Sequence, residues 1–84
     1  MSTEVTPPNL SLLKVGESGQ VAEIRLPAAD KARLMEMGIL VGTTVEVVRF
    51  APLGDPIEIK ARGYRLSLRR HEAEFILVRP KACG

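Results

Sequence analysis

At 84 residues, with 45% hydrophobic and 26% charged side chains, the chain has material for one small domain and no second one. Its 12 basic and 10 acidic residues are interspersed and leave a net charge of +2, so charge alone does not point to nucleic acid. The single cysteine, Cys83, can form no intramolecular disulfide, which makes a reducing, cytoplasmic compartment the expected home.

Residues 1–9 combine Ser, Thr, Glu and Asn with the Pro7-Pro8 pair and read as a flexible lead-in. They lack the basic start and apolar run of a secretory signal. The folded domain is expected over residues 10–80, with 81–84 as a short tail. Leu10, Leu12, Leu13 and Val15 supply apolar anchors, and Gly16 and Gly19 punctuate the chain. Val21 to Leu26 then reads as a first strand with Ala22, Ile24 and Leu26 on one face.

The period changes over Pro27 to Gly38, where Ala28, Ala32 and Met35 recur at helical spacing and Leu34 and Met37 widen the stripe. One helix is predicted here, with Asp30 as a cap or first-turn charge. Gly38 suits the left-handed residue past its end, which would bring Ile39 back onto Leu34. Thr44 to Phe50 is rich in β-branched residues, with Val45 and Val47 on one face and Val48 and Phe50 on the other, a phase shift that predicts a bulge or a strand buried on both sides.

The connection Ala51-Pro52-Leu53-Gly54-Asp55-Pro56 follows. Two prolines fix φ and Gly54 supplies a permissive one, so this is a stiff, sharp surface turn. Its tip is the apolar Leu53, which either docks a partner or folds back on its own domain. Ile57, Ile59 and Ala61 alternate with Glu58, Lys60 and Arg62, and after Gly63 the residues Tyr64, Leu66 and Leu68 alternate with Arg65, Ser67 and Arg69. These are two strands of one hairpin. Arg70 to Ala73 can form a helical turn, and Phe75 to Arg79 is a last strand ended by Pro80.

No apolar run approaches the roughly 20 residues needed to cross a bilayer; the longest are Ile39 to Val41 and Phe75 to Val78. A mainly β fold follows: about five short strands, with one short helix inserted after the first, curling into a small barrel whose closure would hide its edges.

The linked set Arg33-Leu34-Met35-Glu36-Met37-Gly38-Ile39, Gly42, Ala51 to Ile57, Gly63, Leu66-Ser67-Leu68-Arg69 and Glu72-Ala73 closely resembles the FeoA family, over about Leu10 to Val78. Met37 stands where the family more often has leucine, and Ser67 where it often has alanine. The resemblance implies a cytoplasmic, SH3-like β-barrel that assists FeoB, the bacterial ferrous-iron permease with a cytosolic GTP-binding domain. It leaves open whether the GTPase cycle, assembly or gating is affected, and any contact with the membrane would run through the permease.

The residue inventory points away from catalysis. His71 is the only histidine, no serine or cysteine has a base and an orienting acid beside it, and no glycine stretch ends in the Gly-Lys-Ser/Thr that holds phosphates. Candidate metal ligands are His71, Glu72, Glu74 and the remote Cys83, a sparse set suited to a weak or adventitious divalent ion such as Fe2+ or Zn2+. A metal sensor or carrier is the alternative reading.

Lys60, Arg62, Arg65, Arg69 and Arg70 fall on outward positions and would form a positive stripe, or simply a solvated face. A nucleic-acid-binding barrel needs aromatic platforms, and of Phe50, Tyr64 and Phe75 at least two are expected in the core. The predicted partner surface combines Pro52, Leu53, Gly54 and Asp55 with Met35 and Met37, flanked by Arg65 and Arg69; a homo-oligomer is left open.

Overall fold

The strands are β1 (Ser18–Ile24), β2 (Thr44–Phe50), β3 (Ile57–Ala61), β4 (Tyr64–Leu68) and β5 (Ile76–Pro80), preceded by a 3₁₀ turn at Leu10–Leu12. Helix α1 (Ala28–Glu36) follows β1, and the one-turn α2 (Arg70–Ala73) precedes β5. These come from a computed structural model that describes residues 8–80; the tail 81–84 with Cys83, and most of the expected lead-in, lie outside the described residues. All neighbouring strands are antiparallel, in a single sheet of order β4-β3-β2-β1-β5. The expected mainly β architecture with a helix after the first strand is therefore the observed one.

Alternation builds the core. Val45, Val47, Ile57, Ile59 and Leu68 turn inward from consecutive strands with Ile76 and Val78 from β5, and Leu10, Leu34 and Ile39 cover them. In β2 the register to β3 shifts between Val47 and Arg49, which is the bulge that the phase of the valines requires. The β3–β4 connection is the two-residue loop Arg62-Gly63, with φ values of 54° and 87°. Two successive positive φ angles make a type I′ turn, whose twist matches that of the strands it joins.

Strand β1 differs from expectation. It starts at Ser18, and its register to β5 shifts between Val21 and Glu23, so that Val21 and Ile24 are both buried while Ala22 is half-buried. Gly19 is not a turn. It pairs with both Val45 and Pro80, and a Cβ there would lie 2.9 Å from the Arg79 carbonyl oxygen.

Helix α1 ends as its sequence demands. Gly38 has φ +91°, the Ile39 amide donates to the Leu34 carbonyl at 2.9 Å, and the Gly38 amide donates to Met35 at 3.0 Å. This is a Schellman motif, and it drops Ile39 into the core beside Leu34. Asp30 sits in the first turn as a charge and not as the cap, which is Pro27. The expected apolar stripe is corrected: Leu34 alone is buried, Met37 is half-buried, and Ala28, Ala32 and Met35 are exposed. The helix meets the sheet by its last turn, so the alanines serve helix propensity and not packing.

The barrel is curled but not closed. β4 and β5 are the two ends of the sheet and do not pair. The free side of β5 is covered, because the Val78 amide donates to the Pro8 carbonyl at 2.9 Å and Asn9 bridges Leu77. Among the described residues no backbone group pairs with the outer side of β4, contrary to the expectation that closure would hide both edges. A second correction concerns the aromatics: Tyr64 and Phe75 are 64% and 48% exposed, and only Phe50 packs against the core.

Candidate functional site

The loop 51–56 carries the exposed leucine on a rigid base. The Gly54 amide donates to the Ala51 carbonyl at 2.7 Å, which closes a turn with Pro52 and Leu53 as its central residues, and the Ala51 amide donates to Pro56 at 3.0 Å. Proline suits the first of those central positions, and Gly54, at φ +84°, lets the chain leave the turn. The loop is then tied to a separate element: Asp55 Oδ1 accepts from the Arg70 backbone amide, the first residue of α2, at 2.9 Å. The Arg70 guanidinium lies under Gly54, its Nη1 3.1 Å from where a Cβ would stand. With the loop held on both sides, Leu53 does not fold back on the barrel; it is 93% exposed. Burying such a side chain against a partner is worth about 1.5–3 kcal/mol.

The predicted partner residues divide into two groups. Pro52, Leu53, Gly54, Asp55 and Arg69 gather at the end of the hairpin where β3 begins and β4 finishes, beside an open depression of about 370 Å³ lined by Asp55, Pro56, Ser67 and Arg69. Met37 and Arg65 lie at the other end. There a groove of about 480 Å³ runs between the end of α1 and β4, lined by Glu36, Met37, Gly38, Arg62, Tyr64, Arg65 and Leu66. The five residues of β3 separate the two ends by about 13 Å of strand. Met35 is 52% exposed on α1. The single surface expected from the sequence, joining the leucine tip to the helix methionines, is therefore two surfaces.

The basic residues do not form an unbroken stripe either. On the outer face Glu46, Lys60 and Arg65 occupy one row across β2, β3 and β4, and Arg49, Glu58 and Ser67 the next. Glu58 is shared between Arg49 and Arg65, 3.7 Å from each. Glutamates thus interrupt the basic residues on this face, with Lys60 and Arg65 left as neighbours.

Helix α2 brings His71, Glu72 and Glu74 into one turn but assigns them to different tasks. Glu72 is 3% exposed; its Oε1 accepts from the Arg69 amide at 3.1 Å and its Oε2 pairs with the Arg33 guanidinium from α1. Glu74 lies 3.7 Å from Arg70, and His71 is exposed. Among the described residues no group of three or more His, Cys, Asp or Glu side chains converges on a metal position. Also among them, no helix is long and apolar enough to cross a membrane.

Two contacts that shape the site escape a reading of the sequence, Asp55 with Arg70 and Arg33 with Glu72. The second leaves a trace, since a glutamate three residues past the helix cap, at Arg69-x-x-Glu72, has the spacing of a capping box. Only half of the box forms, because an arginine side chain has nothing with which to accept. The first leaves none, since 15 residues separate its partners.

Residues 9–80 match the family described as the FeoA domain. The chain is 36% identical over 69 residues to the Fe(2+) transport protein A/Fe(2+) transporter FeoB fusion protein of Porphyromonas gingivalis, an alignment covering 82% of this chain and 8% of that protein. Among solved structures it is similar to the FeoA protein of Chlorobium tepidum, with 44% identity and a TM-score of 0.85, covering 88% of this chain and 70% of that one. It is also similar to the FeoA of Stenotrophomonas maltophilia solved with zinc and described as a procaryotic SH3 domain protein. There the identity is 32% and the TM-score 0.71, over 83% of this chain and 87% of that one.

Proposed function

Because the chain belongs to the FeoA family, we propose that it is a small accessory protein of ferrous-iron uptake, acting in the cytoplasm by docking on the cytosolic part of the FeoB permease, with no chemistry of its own. The observation that carries this reading is the fusion in the Porphyromonas gingivalis relative, where the counterpart of this domain and FeoB share one polypeptide. A covalent link gives two modules a high effective concentration for each other, which is useful only when they work together. Leu53 is the contact point: a rigid loop that holds a leucine in water loses little conformational freedom on docking and removes an apolar surface from solvent. The consequence for the permease is a change in its GTPase cycle, assembly or gating.

The absence of chemistry is supported by the side chains. His71 stands exposed on α2, among the described residues no side-chain hydrogen bond or ion pair engages it, and the glycine loops lack the lysine and hydroxyl that phosphate binding requires. The test mixes the purified chain with the soluble GTP-binding domain of its cognate permease, with and without guanine nucleotide. Saturable binding that Leu53→Asp abolishes, with an unchanged circular dichroism spectrum, is the expected result. Binding that ignores this change removes the loop from the interface, and no binding in either nucleotide state overturns the partner.

Metal binding is the second reading, favoured by the zinc in the Stenotrophomonas maltophilia structure. In this chain His71 and Glu74 are the exposed donors on α2, and Glu72 is already engaged. A calorimetric titration with Zn(II) decides it: stoichiometric binding that His71→Ala removes supports the reading, and the absence of heat dismisses it.

A further inference from the structure

We propose that the outer edge of β4 is a second docking site, distinct from the Leu53 loop, which takes an extended segment with alternating acidic and apolar residues as an added strand. The two-residue loop Arg62-Gly63 makes Ala61 and Tyr64 a hydrogen-bonded pair, and by alternation so are Ile59 with Leu66 and Ile57 with Leu68. Arg65 and Ser67 therefore direct their backbone N–H and C=O groups away from β3, and among the described residues nothing pairs with them. An extended chain laid along this edge satisfies them.

The walls select what that chain carries. On one face of β4 lies the groove of about 480 Å³, where the exposed ring of Tyr64, half-buried Leu66 and half-buried Met37 offer apolar contact. On the other face Arg65 stands directly opposite Lys60, while Arg62 lies at the groove's end with its stem against Gly38. Glu58 neutralises Arg65 only in part, since it also serves Arg49 at the same 3.7 Å and Lys60 adds a further positive charge beside it. Side chains of an added strand alternate between these faces, so the complementary segment places valine or leucine toward Met37 and glutamate or aspartate toward Arg65. A second copy of this chain is a poorer occupant: an antiparallel β4–β4 pair in full register sets Arg65 opposite Ser67, and β4 carries no acidic side chain to offer either arginine.

The probe is an acetylated, amidated peptide of sequence Ser-Glu-Val-Glu-Val-Glu-Ser, titrated into the ¹⁵N-labelled full chain and followed by NMR. Two controls carry lysine for glutamate, or the same residues in blocks. The expected result is saturable change at the amides of Arg65 and Ser67, with slowed hydrogen exchange there, from the alternating acidic peptide only. Ser67→Pro removes one outward donor without touching the β3–β4 ladder and weakens binding about tenfold. Should that variant not fold, the wild-type chain with the peptide N-methylated along its pairing edge gives the same loss. Arg65→Glu shifts the preference to the lysine peptide. Equal binding of acidic and lysine peptides, no change at Arg65 and Ser67 at millimolar peptide, or a concentration-dependent dimer mapping to those same amides would each overturn the proposal, the last in favour of a second copy.

Discussion

The carboxylate of Asp55 accepts a hydrogen bond from the backbone amide of Arg70 at 2.9 Å, and this one contact joins the leucine loop to the helical turn before the last strand. Without it the loop keeps its internal turn, the Ala51–Pro56 hydrogen bond and the Arg70 guanidinium packed under Gly54. Asp55→Ala is expected to cost about 1 kcal/mol, or about 4–8 °C in a domain of this size. The amides of Leu53 and Gly54 should also exchange faster with solvent. Asp55→Asn keeps an oxygen acceptor and should retain most of both. Thermal unfolding with hydrogen exchange checks the pair, and a loop unmoved by the alanine change would show that the prolines alone hold it.

Leu53 separates display from packing. Because it is 93% exposed, Leu53→Ala should change the unfolding free energy by no more than about 0.5 kcal/mol. A core leucine such as Leu34, fully buried, should lose about 2–5 kcal/mol on the same change. Urea titrations of the two variants compare them directly, and a large loss at Leu53 would mean that the residue packs in solution.

Arg33 and Glu72 tie α1 to α2. The carboxylate is buried while the guanidinium side chain is 48% exposed, so the two halves of the pair are unequal. Arg33→Ala strands a buried charge that retains only the Arg69 amide, and about 1–3 kcal/mol should be lost, less than for a fully enclosed pair because water reaches the arginine side. Adding Glu72→Gln to Arg33→Ala should recover part of the loss, since a neutral amide is cheaper to leave without its cation. A double-mutant cycle by urea unfolding reads the coupling, and simple additivity would show that the pair contributes nothing.

The hairpin and the helix end were legible because each is written in neighbouring residues: alternation over Ile57 to Leu68, and Gly38 with Ile39 behind a helical run. The bulge in β2 was legible through the phase of its valines, whereas that in β1 was not. There Val21 and Ile24 share the core only because the register to β5 slips between them, a fact of pairing across the sheet. The helix stripe misled for a related reason: Ala28 and Ala32 have the right spacing, but no other described element covers them. The leucine tip could be located from Pro52 and Gly54 alone. Its separation from Met37 follows from which end of β3 each adjoins, and that is visible only once the strands are paired.

Arg62 is the only residue other than glycine with a positive φ among those described, 54° in the turn before Gly63. A side chain with a Cβ is strained in that region, and asparagine tolerates it best, which is why Asn-Gly dominates type I′ turns. Arg62→Asn is therefore expected to stabilise the fold by about 0.5–1 kcal/mol, and Arg62→Val to destabilise it by about 1–2 kcal/mol. One term opposes the gain: the Arg62 Cδ lies 3.6 Å from where a Cβ on Gly38 would stand, so the arginine stem covers the end of α1. That contact involves a methylene at the surface and is smaller than the backbone strain it would have to outweigh. Thermal unfolding of the two variants should rank asparagine above arginine and arginine above valine. If asparagine fell below arginine, the packing of that stem on α1, and not the turn geometry, would be what selects the residue.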